Sequence, residues 1–287
     1  MAVKTLSETE LRSLVDLLDD EDPLSFDLVR RQILDIGEPV LPFLEEMRAK
    51  SQPEVAAKVD AMTRALRFQN LKDAFLRLSV SRDPDLEKGA LLITRFGYPG
   101  IDPAVYTRWL DKVATQVQDE AASSDPAVIF QHLNSHLFKA MGFSGNETRY
   151  YDPENSYLNR VIETRRGIPV SLSVLYLLLA RRLKLQVHGV GTPGHFLVAL
   201  AQDPEPCFVD TYNRGRIMNL ADVRRMLARG GYEYRAEFTA PASSRDIIIR
   251  MMRNLISIYQ KMGLTERSEM LSNLVEVMLT GRPAAPV

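Results

Sequence analysis

Gly167-Ile-Pro-Val-Ser-Leu-Ser-Val-Leu-Tyr-Leu-Leu-Leu-Ala-Arg-Arg182 is the stretch that decides the fold. Gly167 ends whatever precedes it, and Pro169 suits the first position of a new helix, where its missing N–H costs nothing. The helix is predicted over 169–184. From Leu172 to Ala180 it is apolar nearly all round, so it must be buried on every side and form the centre of the molecule. It cannot span a membrane, because the most apolar run, Val174 to Ala180, is closed by Arg181 and Arg182 well short of the roughly 20 residues a span needs.

Downstream the period shifts from helical to alternating. Residues 186–190, 195–200 and 206–212 are short β-branched or aromatic runs separated by Gly and Pro, which predicts a small antiparallel sheet. A buried helix on such a sheet is α+β architecture. Immediately upstream, Asp152-Pro153 reads as the start of a helix running to Arg166. Helix returns from about residue 244, broken at Gly263, and Leu255, Tyr259, Gly263 and Ser268 have the outline of one tetratricopeptide-type hairpin. The N-terminal end is also helical. Ser7 and Glu10 form a capping-box pattern ahead of Leu11, Leu14, Val15 and Leu18, and Gly37 and Pro39 break a helix pair that is a little like a HEAT-type unit. A third helix is expected over 53–68, and the acidic run 19–22 is expected to be a solvated loop. Three parts follow: a helical region 1–70, a central domain 71–240 and a helical hairpin 241–287.

Composition excludes several classes of function. With 36 basic and 37 acidic side chains the formal charge is -1, so no bulk field recommends nucleic acid or an anionic membrane as a partner. The one cysteine, Cys207, forbids an intrachain disulfide and leaves no thiolate cluster for zinc. The opening MAVKTLSETE lacks the apolar centre of a signal peptide, which points to a soluble, cytoplasmic protein. His132 and His136 share a helix face at i, i+4 but have no acidic neighbour of the zinc-protease kind, so they are read as surface or capping residues and no metal or cofactor is expected. Arg160, Arg165, Arg166, Arg181 and Arg182 are read as helix-end charges, and Met251, Met252, Met262, Met270 and Met278 as filling between the last helices.

Chemistry concentrates at three positions. Ser171 falls in the first turn of the central helix, where free N–H groups and the macrodipole favour negative charge. His195 opens a strand directly after Pro193-Gly194, and Asp210 closes the next one, where it could orient an imidazole. Nucleophile, base and orienting carboxylate are the parts of a triad. Strand alternation tests the cysteine as a substitute nucleophile: positions 208 and 210 share one face and 207 and 209 the other, so Cys207 faces away from the site as a small core residue. Asn155 and Asn159 are side-chain amides able to donate to an oxyanion, and equally suited to capping a helix or holding a loop.

The residues Asn155-Ser-Tyr-Leu-Asn159, Arg165-Arg-Gly-Ile-Pro-Val-Ser-Leu-Ser173, Gly189-Val-Gly-Thr-Pro-Gly-His-Phe-Leu-Val198 and Phe208-Val-Asp210 resemble the bacterial SirB-type family of transglutaminase-like proteins, from about 75 to 230. The resemblance implies a papain-like transglutaminase core whose Cys-His-Asp positions fall on Ser171, His195 and Asp210. It also marks two departures. Serine stands where an active relative has cysteine, and Thr211-Tyr212-Asn213-Arg214 follows the aspartate where Pro-Phe-Asn-Gly is expected. A thiol of pKa about 8.5 can be drawn to thiolate by a helix N-terminus, whereas an alcohol must pass its proton to the base during attack. Two readings follow: a silent peptide- or protein-binding or regulatory module that has lost thiol chemistry, or an acyl transferase or amide/ester hydrolase using Ser171, His195 and Asp210.

Overall fold

The computed structural model describes residues 7–19, 23–200 and 206–282. The chain divides into two compact units, 1–74 and 75–287.

The first unit begins with α1 (Glu8–Asp16), whose Ser7–Glu10 capping box forms as expected, and a 3-10 turn, Leu17–Asp19. It continues through α2 (Pro23–Ile36) and α3 (Leu41–Lys50) into α4 (Pro53–Ser79). Leu11, Leu14, Val15 and Leu18 pack with Val29, Ile33, Leu44 and Leu66 in one core. Gly37, at φ 80, makes the break between α2 and α3. Of the acidic run, Asp19 closes the 3-10 turn, and 20–22 lie outside the described residues, as do the first six. The helix expected over 53–68 runs further, to Ser79, because no Gly or Pro interrupts it.

The second unit sets α5 (Leu86–Gly97), α6 (Pro103–Ala121) and α7 (Pro126–Ser135) ahead of a two-residue parallel pair, β1 (Ser144–Gly145) with β2 (Arg166–Gly167). Between those strands lies α8 (Leu158–Thr164). The single helix expected from 152 to 166 is in fact a 3-10 turn, Pro153–Ser156, then α8, with Tyr157 extended at φ -91, ψ 126 between them. Tertiary contact overrides the pattern here. Tyr157 is buried edge-on against Tyr98 and shares a 2.5 Å hydrogen bond with Tyr259, while the carbonyl of Asn155 is taken by Ile168 and Ser171 instead of by a helical N–H.

The central helix α9 (Pro169–Arg182) is buried from Pro169 to Ala180. It packs on a five-stranded sheet in the order β6-β5-β4-β3-β7, made of β3 (Val187–Val190), β4 (Leu197–Leu200), β5 (Cys207–Asp210), β6 (Arg216–Met218) and β7 (Pro241–Ala242). Every pairing is antiparallel. The amphipathic helix α10 (Leu220–Arg229) covers the opposite face, laying Val223 and Leu227 on Val190, Leu197, Ala199, Phe208 and Met218. Alternation along β5 therefore assigns Phe208 and Asp210 to the α10 face and Cys207 to the α9 face, and the half-buried Cys207 thiol lies close enough to Tyr176 of α9 to influence it. The C-terminal hairpin is α11 (Ser244–Lys261) and α12 (Thr265–Thr280), turned at Gly263, φ 72. Eight apolar side chains of α11, from Ile247 to Tyr259, are buried, and the helix packs on α5 and α9 as well as on α12. No helix among the described residues is long and apolar enough to cross a membrane.

Candidate functional site

The start of α9 is built by hydrogen bonds within the protein. Ile168, extended at φ -92, ψ 166, is the cap residue, and its N–H donates to Ser171 Oγ at 3.1 Å. The Ser171 hydroxyl donates in turn to the carbonyl of Asn155 at 2.6 Å. Ser171 is only 1% exposed, and no hydrogen bond joins it to His195. The packing around it is tight enough to require Gly167: a Cβ there would lie 2.8 Å from Ser171 Oγ and 2.9 Å from Leu172 Cγ.

His195 and Asp210 do come together, His195 Nε2 lying 2.9 Å from Asp210 Oδ1. His195 sits two residues ahead of β4 rather than within a strand, in the turn formed by Pro193 and Gly194 (φ 70). Arg250 of α11 holds that turn from behind. Its guanidinium donates to the carbonyls of Thr192 at 2.9 Å and His195 at 2.8 Å while lying 5.4 Å over the Phe196 ring. Burial lowers the Arg250 pKa from its ordinary value.

Asp210 is 3% exposed. Burial works against its ionisation, but hydrogen bonds from His195 and Asn213 outweigh it and leave the carboxyl below its ordinary value. Asn213 supplies both its backbone N–H, 3.2 Å from Asp210 Oδ1, and its side-chain amide, 2.7 Å from Oδ2. The departures around it are accommodated. The Thr211 hydroxyl is 2.9 Å from that of Ser173 on α9, and Arg214 adopts the left-handed φ of 55 where glycine was expected.

An ionised Asp210 fixes the His195 tautomer with a proton on Nε2, leaving Nδ1 with no hydrogen bond to a described residue. Tyr212 meets the ring edge-on at 6.1 Å. The pair opens into a cleft of about 550 Å³ beneath α10. The residue of the central helix that lines this cleft is Pro169, which has no nucleophilic atom and no N–H; Ser171, Asn155 and Asn159 do not line it. The amide of Asn155 is spent on the carbonyls of Arg149 and Tyr150, and Asn159 lies against the Tyr106 hydroxyl of α6. The three expected site residues thus resolve into a joined pair, His195 and Asp210, and a separate serine.

Several residues of this region were missed in the sequence. Asn213 had a signal, an Asn three positions after Asp in a turn. So did α10, whose Asn219–Asp222 capping box precedes Val223 and Leu227 at helical spacing. Arg250 had none, being far along the chain from the loop it holds.

The remaining candidates are committed elsewhere. Burial raises the Cys207 thiol pKa, which makes it less reactive. His136 Nδ1 lies 3.0 Å from Glu120, and among the described residues no cluster of three or more His, Cys, Asp or Glu is placed to hold a metal. Arg160 is paired with Glu154 and Glu163, and Arg182 with Glu87 and Asp111. Met251, Met252 and Met278 are buried, whereas Met262, read as filling, is exposed at the end of α11.

Comparison with known proteins agrees with this architecture. Residues 104–253 match the Transglutaminase-like superfamily. A UPF0162 protein of Xylella fastidiosa is 35% identical over 203 residues, 68% of this chain and 72% of that protein. A UPF0162 protein of Pseudomonas aeruginosa is 30% identical over 199 residues, 67% of this chain and 71% of that protein. The human F-box only protein 21 is 26% identical over 163 residues, 54% of this chain and 26% of that protein. No solved structure matches. The match over 104–253 and these relatives make the chain a member of the transglutaminase-like superfamily, among proteins of the UPF0162 type.

Proposed function

We propose that the chain is a catalytically silent transglutaminase-like module that binds a peptide or protein segment in the cleft beside His195 and Asp210. The observation that carries this reading is the state of Ser171: its hydroxyl is satisfied by backbone, it is sealed from solvent, and the cleft-side residue of the same helix turn is Pro169. Attack by an alcohol needs a base within about 3.2 Å and an oxyanion hole, and neither the Ser171–His195 contact nor a free Asn155 amide is present to supply them. In this reading the fold was retained and its reacting atom was not. The protein is then a cytoplasmic, SirB-type protein, with α11 and α12 as a tetratricopeptide-type hairpin that helps to shape the site.

The acyl-transfer reading draws its support from the preformed His195–Asp210 pair and its unoccupied Nδ1. One experiment separates the two. In a Cys207→Ala background, Ser171→Cys and Pro169→Cys are titrated with iodoacetamide between pH 5 and 9, alongside fluorophosphonate labelling of the unsubstituted protein. The silent reading expects no Ser171-dependent labelling, an inert thiol at 171, and a reactive thiol at 169 whose low-pH reactivity disappears with His195→Ala. Phosphonylation of Ser171, or a His195-dependent thiol at 171, would overturn it in favour of the hydrolase.

A further inference from the structure

The cleft has a charge bias that the whole chain lacks. Arg216 of β6 and Arg225 and Arg229 of α10 stand on one wall. Two carboxylates share the cleft, and both are occupied. Asp210 is taken by His195 and Asn213, as described. Asp222 accepts the N–H of Asn219 at 3.1 Å in the α10 cap, pairs with Arg225 at 2.6 Å, and has Arg216 at 3.9 Å. Arg229, one helical turn beyond Arg225 on the same face, has no carboxylate within ion-pair distance among the described residues and is exposed. Three guanidiniums thus share the cleft with two carboxylates, a surplus of one positive charge that rests on Arg229, since Arg225 is held by Asp222 and Arg216 only loosely so, in a protein whose formal charge is -1. The surplus is local.

Other parts of the lining are aromatic. Tyr150, Tyr212 and Tyr232 offer flat faces and hydroxyls, and Tyr150 and Tyr212 brace each other edge-on at 6.1 Å. Amphipathic rings of this kind accept peptide planes and aliphatic stems at low entropic cost, and guanidinium forks match carboxylates in geometry as well as charge. Resting on the reading of the cleft as a binding site, we propose that its ligand is an acidic peptide segment, with Glu or Asp side chains on Arg229 and Arg216 and the backbone crossing the tyrosines.

The test uses the full chain and a fluorescein-labelled peptide of alternating Glu and Gly, with Gln-Gly and Lys-Gly counterparts, read by fluorescence anisotropy at low and high salt. The Glu peptide is expected to bind at least about tenfold more tightly than the Gln peptide, and salt should weaken it. Arg229→Gln should weaken binding about threefold and the Arg216→Gln/Arg229→Gln pair about tenfold, as expected for partly exposed charge contacts. Arg108→Gln, an exposed position on α6 outside the cleft, should leave binding unchanged. Equal binding of the Gln peptide, indifference to the cleft arginines, or displacement by an oligodeoxynucleotide of equal charge would overturn the proposal. Mass spectrometry of the recovered peptide keeps this result separate from the question of catalysis. An intact, unbound peptide overturns the ligand assignment alone. A cleaved or acyl-transferred peptide whose binding still needs the arginines overturns catalytic silence and supports the assignment.

Discussion

Asp210 carries more hydrogen bonds than any role in holding up a strand end requires: an imidazole, a backbone amide and a side-chain amide all converge on its two oxygens. Those donors favour the ionised form, so the folded carboxyl lies below its ordinary value near 3.8. A depressed carboxyl contributes stability that is present above the unfolded pKa and lost as pH falls through the folded one. Asp210→Asn is therefore expected to destabilise the protein by about 1–3 kcal/mol at pH 7, with the gap from the unsubstituted chain closing as pH drops below about 4. Denaturant unfolding at a series of pH values reads it, and a gap that stays constant into acid would show that the carboxylate's charge is not what matters. At this scale the sequence was informative about Asp210 and Cys207, because alternation along β5 puts them on opposite faces, with Cys207 toward α9, whereas His195 lies in the turn ahead of β4 where alternation does not reach. It was uninformative about Ser171. Chain position places a residue in a helix's first turn, but only the packing of Asn155 and Gly167 around it decides which way a hydroxyl points.

The elements show the same division between local and tertiary control. The apolar stretch of α9 was legible from its unbroken apolarity after Gly167-Ile-Pro169, and the three main strands and the hairpin after 244 from their periods and the Gly and Pro that bound them. The break at Tyr157 was not, since nothing in the local pattern competes with the pull of Tyr98 and Tyr259. The turn from Asp210 to Arg216 is the element on which the cleft depends. Gly215, at φ 69, donates its N–H to the Asp210 carbonyl at 2.9 Å, and a Cβ there would overlap the Phe138 ring and come within 2.5 Å of Asn134 Oδ1. Gly215→Ala combines left-handed strain with overpacking, and a loss of about 2–4 kcal/mol is expected, together with loosening of Asn213 from Asp210. A thermal melt and the broadening of the His195 ring resonances would report it. Gly142→Ala, at φ 75 but with no atom within 4 Å of the new Cβ, should cost only the strain.

For the whole molecule, the question is which parts the fold can lose. Each of the eight buried apolar side chains of α11 contributes about 1.5–3 kcal/mol through burial. Even discounted for a compact unfolded state, their sum is comparable to the usual net stability of about 5–15 kcal/mol. A fragment covering 75–243 is expected to lose cooperative unfolding, whereas 75–287 retains it, because the first unit has its own core, built from residues such as Leu14, Ile33 and Leu66. Circular dichroism melts of the two fragments distinguish these outcomes, and a sharp transition in the shorter one would refute the account. The position of Arg250 gives this dependence a chemical meaning. The backbone carbonyl of His195 is gripped by a guanidinium carried on the C-terminal hairpin, so the hairpin is an anchor for the imidazole as well as a lid on the core. Any lesion, protease cut or partner that shifts α11 acts on the site without touching a residue in the cleft.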